Sequence, residues 1–373
     1  MYCEVSRKDL LNALSVAYKA ISPKSPLPIL THFLIEADET GLKISATDSE
    51  LGIETSVIAS TTENGIFTTP AKPFFDIVNL LSDEVVKLKF KAEENDFSII
   101  TESSSCSLMT LNAEDFPEIP RFDEGHDFVI KQKDFKTAIK SVLFSVAGQD
   151  ETRAVLTGVC LTVKADGKAE FGATDARRLA SITVPIEAEN KEERQYIIPK
   201  RTLDEISKFL QTTSEDPVYV GVKKSLMFFR IGNIFITSKL IDGNYPNFRQ
   251  FLTDKPKYSI ALSKSELTSA VKLVSVVAQD RNFFKRIKFY ISEDAVKLES
   301  ATQDLGSASR TISCKLHPNE FFYVAFNYQF ILEALANVDG EEVLFEVSDS
   351  NSQGVIRSTE NPDHICIIMP MKI

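Results

Sequence analysis

The chain has 373 residues, 43% of them hydrophobic and 25% charged, and a net charge of −11; this length calls for two to four domains, and this composition excludes collagen-like, coiled-coil and disordered classes. No apolar run reaches the about 18 residues a membrane-crossing helix needs, and Met1 is followed by neither a basic nor an apolar leader, so a cytoplasmic protein without a membrane partner is expected. The cysteines Cys3, Cys106, Cys160, Cys314 and Cys366 are scattered with no CxxC pair, as are His32, His126, His317 and His364, which points to buried thiols and to no metal.

In chain order, the first element is a helix in DLLNALSVAYKAI from Asp9, with Lys8, Asn12, Ser15 and Lys19 on one polar face. A strand with two-residue alternation follows from Gly41 and ends in Ala46, Thr47 and Asp48. Pro70 opens a second helix, PAKPFFDIVNLL, which carries Lys72, and VVKLKFKA from Val85 reads as another strand. The stretch FDEGHD from Phe122 breaks the pattern as a linker.

The series then starts again. DFKTAIKSVLFSVA from Asp134 sets Phe135, Ala138, Ile139, Val142, Leu143 and Val146 on one apolar stripe, with Lys136 and Lys140 off it. Ala173, Thr174 and Asp175 repeat the earlier triplet 127 residues on, and PKRTLDEISKFL from Pro199 repeats the second helix with Lys200, Arg201 and Lys208. The strands in PVYVGVKKSLMFFRI follow, and LTDKPK from Leu252 is the next linker. A third series runs through ELTSAVKLVSVVA from Glu266, with Thr268, Lys272, Ser275 and Gln279 on its polar face. It continues through the strand from Ile287, the triplet Ala301, Thr302, Gln303, the helix FNYQFILEALANV from Phe326 and the strand from Glu342.

A fixed pitch of this kind marks tandem repeats. The expectation is an α+β protein of three similar domains, 1–123, 124–252 and 253–373, each with two helices and antiparallel strands. Their net charges are −10, +2 and −3, so the acidity is concentrated in the first third. Lysine on three polar helix faces in an acidic chain suggests an anionic ligand for those faces, although a solvated face explains any one of them.

The chain contains no GxSxG, GxxxxGK[ST] or GxGxxG, and its 14 glycines leave little material for phosphate-binding loops. Thr47 with Asp48 and Thr174 with Asp175 are read as turns closed by side chain to backbone bonds, since Gln303 replaces the acid in the third copy. No enzyme is expected. The end of the chain, ICIIMPMKI from Ile365, is apolar where termini are commonly polar, and its methionines suit either a tucked tail or a deformable partner groove.

Taken together, LPIL from Leu27, TDARRLA from Thr174, LIDGNYPNFRQFL from Leu240, Phe326 with Asn327, and the closing Met369, Pro370 and Met371 resemble the bacterial DNA polymerase III beta subunit family of sliding clamps over essentially the whole chain. The resemblance implies a head-to-tail homodimer whose six domains close around double-stranded DNA. It implies DNA polymerase III alpha subunit, a clamp loader complex and other proteins with a clamp-binding motif as partners, and no cofactor. It places the partner-peptide groove at Leu156, Thr174, Arg178, Leu179, Pro246, Gln353, Ile367, Ile368, Met369, Pro370 and Met371. DNA contacts are placed at Lys24, Lys200 and Arg201, to which the helix faces add Lys136 and Lys140. The dimer contact falls on Cys106, Leu108, Val276 and Val277. Three departures from the family pattern stand out: Ala176 and Arg177 before the groove arginine, Lys372 and Ile373 at the end, and Cys106 where a larger apolar residue is common. The competing reading is a stand-alone enzyme or small-molecule binder on the same repeated scaffold, with Thr174 beside its pocket.

Overall fold

In the computed structural model, which describes residues 1–23, 25–122, 125–148, 150–188, 192–252, 256–278, 285–302, 305–314 and 321–372, each third of the chain supplies two helices of ten residues or more. These are α1 (Arg7–Ala17) and α2 (Ala71–Leu80), then α3 (Gln132–Leu143) and α4 (Lys200–Phe209); after a single turn, α5 (Arg249–Leu252), come α6 (Lys264–Ser275) and α7 (Tyr328–Asn337). The helix starts follow local chemistry. Ser6 Oγ accepts from Asp9 N, and Ser263 Oγ from Glu266 N, each at 3.4 Å. The acid that opens those repeats is therefore the third residue of a serine-capped helix, where its charge also suits the positive helix end. Pro70 and Pro199 stand at the starts of α2 and α4, and Asn327 Oδ1 accepts from Gln329 N at 3.0 Å to start α7 two residues inside the expected segment.

The chain divides into two compact units, and the division does not follow the repeats. The first unit holds residues 1–132 and 215–240; the second holds 133–214 and 241–373. In the first, Ala59–Glu63, Tyr2–Ser6, Val85–Lys91, Asp96–Ile100 and Ser105–Met109 form an antiparallel sheet in that order. A second run passes from Phe128–Lys131 through Pro217–Lys223, Leu226–Ile231, Ile234–Lys239, Leu51–Val57, Gly41–Thr47 and His32–Asp38 to Gly65–Pro70. Strands of the middle third thus extend the sheet of the first third, through Ile234–Lys239 pairing with Leu51–Val57. α1 buries Leu10, Ala13, Leu14 and Ala17 and packs on α2.

The second unit is built the same way. Its large sheet runs Arg194–Pro199, Gly158–Val163, Lys168–Thr174, Arg178–Pro185, Ile365–Ile368, Gly354–Ser358, Glu342–Val347, Tyr258–Ser263, all antiparallel. Here Arg178–Pro185 pairs with Ile365–Ile368, so the middle and last thirds share one sheet. A four-stranded sheet runs Gly306–Ser313, Ala295–Thr302, Arg286–Ile291, Phe322–Asn327, and α6 packs on α7. The stripe on α3 buries Phe135, Ala138, Ile139 and Val142 with Leu143 half-buried, each large side chain stabilising by roughly 1.5–3 kcal/mol. Cys3, Cys160 and Cys366 are buried, which pushes their thiols up to about 11, about 12 and about 12, whereas Cys106 and Cys314 are only half-buried. No helix among the described residues is long and apolar enough to cross a membrane.

His364 sits 1% exposed in the second unit, its Nε2 donating to Ser141 O at 3.1 Å. Burial holds its pKa below the ordinary histidine value, and does the same to His32 in the first unit. The folded chain therefore binds fewer protons than the unfolded chain in mild acid. The stability these imidazoles contribute is complete above the unfolded histidine pKa of about 6.5 and is lost as pH falls. Melting temperature is expected to drop between about pH 7 and about pH 5, and His364→Gln, which keeps a donor for Ser141, should shrink that drop. An unchanged pH slope in the variant would contradict the assignment.

Candidate functional site

The repeated Thr-Asp pair folds as the same turn in both units. Thr47 Oγ1 donates to Leu51 O at 3.1 Å and accepts from Ser49 N at 3.0 Å, while Asp48 Oδ1 accepts from Glu50 N and Leu51 N. Thr174 Oγ1 likewise donates to Arg178 O at 2.6 Å and accepts from Ala176 N at 3.0 Å, while Asp175 Oδ1 accepts from Arg177 N and Arg178 N. Ser49 and Ala176 hold the same position in the two turns with positive φ, 76° and 68°. The pair is structural in both copies, as the sequence suggested.

What lies beside the turn differs between the units. Leu51 corresponds to Arg178, so Gly52 corresponds to Leu179. In the first unit Ile119 occupies the space over Gly52, its Cγ2 2.9 Å from where a Cβ would stand. In the second unit Leu179 and Ile367, opposite each other on neighbouring strands, form a floor beneath a cavity of about 370 Å³. Phe248 closes one wall by lying over Gly172, where any Cβ would collide with its ring. Tyr245 anchors that wall: its hydroxyl accepts from Thr174 N at 3.0 Å, its ring meets Phe248 edge-on at 6.1 Å, and burial pushes its phenol pKa up.

Arg178 forms the rim. Its Nε donates to Asp175 Oδ2 at 3.0 Å, its Nη1 pairs with Glu333, and its guanidinium lies 4.4 Å from the Phe330 ring centroid. A head group held on three sides presents a fixed wall. Arg153 lines the mouth and donates to Glu151, whose carboxyl it holds down at about 2. Met369 closes the other side, 42% exposed, with its N–H on Arg177 O at 2.9 Å.

The structure brings Leu156, Thr174, Arg178, Leu179, Pro246, Ile367 and Met369 together as lining residues. Ile368 is 1% exposed, paired between Arg178 and Gly354, and is not among the lining residues. Gln353 donates through Nε2 to Phe251 O at 3.2 Å, and Pro370 and Met371 are half-buried, Met371 N donating to Ala325 O at 2.8 Å, so these three support the site from outside the lining. Phe248, Phe251, Asn247 and Gln250 were not singled out from sequence. Their signal lay in the stretch LIDGNYPNFRQFL, where Phe248 and Phe251 are three residues apart as on one face of a helical turn.

Of the candidate DNA-contacting residues, Lys24 lies outside the described residues. Lys136 Nζ donates to Leu210 O at 2.8 Å, beyond the end of α4, and Lys140 Nζ pairs with Asp339 at 3.2 Å with both side chains about half exposed. Lys200 and Arg201 begin α4. Cys106 and Leu108 are half-buried on Ser105–Met109, the last strand of its sheet. Val276, 66% exposed, and Val277 follow α6, beside the 52% exposed Leu273, which sequence reasoning passed over.

Models of the DNA polymerase III beta subunit match the chain in succession: its N-terminal domain at residues 1–120, its central domain at 129–247 and its C-terminal domain at 249–372. The chain is 28% identical over 370 residues to a protein of Chlamydia pneumoniae named "Beta sliding clamp", covering 99% of this chain and 98% of that one. It is 27% identical over 376 residues to the protein of the same name from Staphylococcus epidermidis, covering 99% and 98%. The crystal structure of the DNA polymerase sliding clamp from Bacillus subtilis superposes with a TM-score of 0.94 at 23% identity, over 100% of this chain and 99% of that one. That of the DNA polymerase III beta subunit from Thermotoga maritima gives 0.89 at 25%, over 100% of both.

Proposed function

Since the chain belongs to the DNA polymerase III beta subunit family, we propose that it works as a sliding clamp, a ring around double-stranded DNA that tethers the replicative polymerase and other replication and repair proteins. The observation that carries this reading is the succession of three family domains over nearly the whole length. The domains run 1–123, 124–252 and 253–373, and the clamp catalyses no reaction and takes no cofactor. Nothing favours the reading as a stand-alone enzyme or small-molecule binder.

The ring is a head-to-tail homodimer. Ser105–Met109 and Gly306–Ser313 each end their sheets, and among the described residues neither has a partner on its outer edge. Unpaired edges invite another strand, and a heterologous contact between the first domain of one protomer and the third of the next closes once the rotation fits. Cys106 and Leu108 on one surface meet Val276 and Val277 on the other. DNA is held by topology, which is why a net charge of −11 is tolerated. Lys24, Lys136, Lys140, Lys200 and Arg201 offer sequence-neutral contacts to phosphate. The half-exposed pair of Lys140 with Asp339 is worth about 0–1 kcal/mol, little enough for a phosphate to compete.

The groove seats the leucine and aromatic anchors of a short peptide on Leu156, Leu179, Pro246, Ile367 and Met369, with Thr174 and Arg178 at its rim and Gln353, Ile368, Pro370 and Met371 behind it. Its users are DNA polymerase III alpha subunit, the clamp loader and other proteins with the same motif. Light scattering on a size-exclusion column is expected to give a mass near twice 41.6 kDa. A mass of 41.6 kDa at every concentration would count against the ring.

A further inference from the structure

The first unit has a cavity of its own, of about 280 Å³, clear of the space over Gly52 that Ile119 fills. Tyr219, Arg230, Phe235 and Glu54 stand side by side on four neighbouring strands of the long sheet, so their side chains share the face on which it opens. The segment from Pro120 to Phe122 crosses that face and is fixed to it. Thr237 Oγ1 donates to Pro120 O at 2.9 Å, and Arg121 donates twice to Glu54, at 2.9 and 3.1 Å. Phe122 lies over Gly221, where any Cβ would collide with its ring. It also stacks on Phe228 at 5.5 Å, and Phe228 on Phe235 at 6.0 Å, which gives the cavity an aromatic wall. The charges around it do not balance. Among the described residues that line it, Glu54 is the one carboxylate, and Arg121 and Ser45 already donate to it. Lys43 pairs with Glu36. Arg230 is exposed, with its guanidinium 4.5 Å from the Tyr219 ring centroid, and among the described residues no carboxylate or carbonyl accepts from it. One lining cation is left over, held against a ring.

We propose that this cavity is a second docking site, which takes one aromatic side chain flanked by an Asp or Glu from a partner protein. The space suits one ring with its neighbour's carboxylate: the ring goes among Phe122, Phe228 and Phe235, and the carboxylate goes to Arg230. A contact this small is weak in free solution and becomes effective for a partner already held elsewhere on the chain, because the second contact is then intramolecular. That favours a protein segment over a free aromatic acid. The site uses no residue of the groove, and only the tethering rests on the groove reading above.

The chain contains no tryptophan, so a tryptophan-bearing probe can be followed by its own fluorescence. Two short peptides are titrated against the full chain, one with Asp next to its Trp and one with Asn. The Asp peptide is expected to bind roughly two- to five-fold more tightly, as for an exposed ion pair, with the difference fading at high salt. Arg230→Gln should erase that difference and leave the Asn peptide's Kd unchanged. Phe235→Leu, which keeps an apolar side chain but removes a ring, should weaken both peptides by roughly two- to ten-fold. A chain ending at Ile368, which lacks the Met369 wall of the groove, should bind both peptides as the full chain does. Equal affinities for the two peptides in the native chain, a difference that survives Arg230→Gln, or binding lost in the shortened chain overturns the proposal. Free indoleacetate binding more tightly than the Asp peptide would make this a small-molecule site and overturns it as well. None of these results touches the groove, whose own test is the loss of clamp-binding peptide in the same shortened chain.

Discussion

A chain ending at Ile368 is expected to bind a clamp-binding peptide about 100-fold more weakly than the full chain, a loss of the size produced by removing one or two anchor contacts. It should lose its stimulation of the polymerase as well. The groove floor would survive, because Ile367 and Ile368 stay hydrogen-bonded between Arg178–Leu179 on one side and Gly354–Val355 on the other. What disappears is the Met369 wall and three hydrogen bonds: two between backbone groups, Met369 N to Arg177 O and Met371 N to Ala325 O, and one from a side chain, Arg286 Nη1 to Lys372 O. Each is worth about 0.5–1.5 kcal/mol, so the fold should hold while the ligand is lost. The double result distinguishes a binding surface from a tail that merely caps its own sheet. Peptide affinity equal to that of the full chain would refute the assignment of Met369 and Met371.

Replacing Leu273 and Val276 together by aspartate should convert the dimer to a monomer of 41.6 kDa with little change in its melting temperature. Both side chains are more than half exposed, 52% and 66%, so in a lone protomer the new carboxylates face water. Surface changes of that kind usually stay within about 0.5 kcal/mol. At a closed interface the same carboxylates would be buried without partners, a penalty of several kcal/mol for each charge. A dimer that persists in this variant would show that the contact lies elsewhere, and it would remove Cys106, Leu108, Val276 and Val277 from the interface.

Much of the fold was legible because the repeats obey local rules. The first helix is announced by the acid Asp9 and the apolar pattern behind it, those from Pro70 and Pro199 by proline, and the last by Phe326 with Asn327, the structure starting it at Tyr328. The division of the chain was not legible in the same way. The pairings of Leu51–Val57 with Ile234–Lys239 and of Arg178–Pro185 with Ile365–Ile368 join strands far apart in sequence, and periodicity carries no information on which edges meet.

The candidate site shows the same limit. The turn at Thr174 was readable from its residues, and its twin at Thr47 folds identically. Which twin opens a cavity depends on one pair of neighbours: Gly52 accepts Ile119, whereas Leu179 pairs with Ile367 beneath Phe248. That difference is a packing fact, and one copy of a motif does not reveal it. Phe248 and Phe251 were hidden for a related reason, since an aromatic in a linker looks the same whether it fills a core or lines a groove.

The central claim is that the chain holds DNA by enclosing it, and it is tested most directly by cutting the DNA. Protein loaded onto a nicked circular duplex and freed of its loader should remain bound through gel filtration. Linearising the circle with a restriction enzyme should release it within minutes, and blocking both ends should prevent the release. Protein that stays on linear DNA with open ends, or that leaves the intact circle equally fast, would contradict the account.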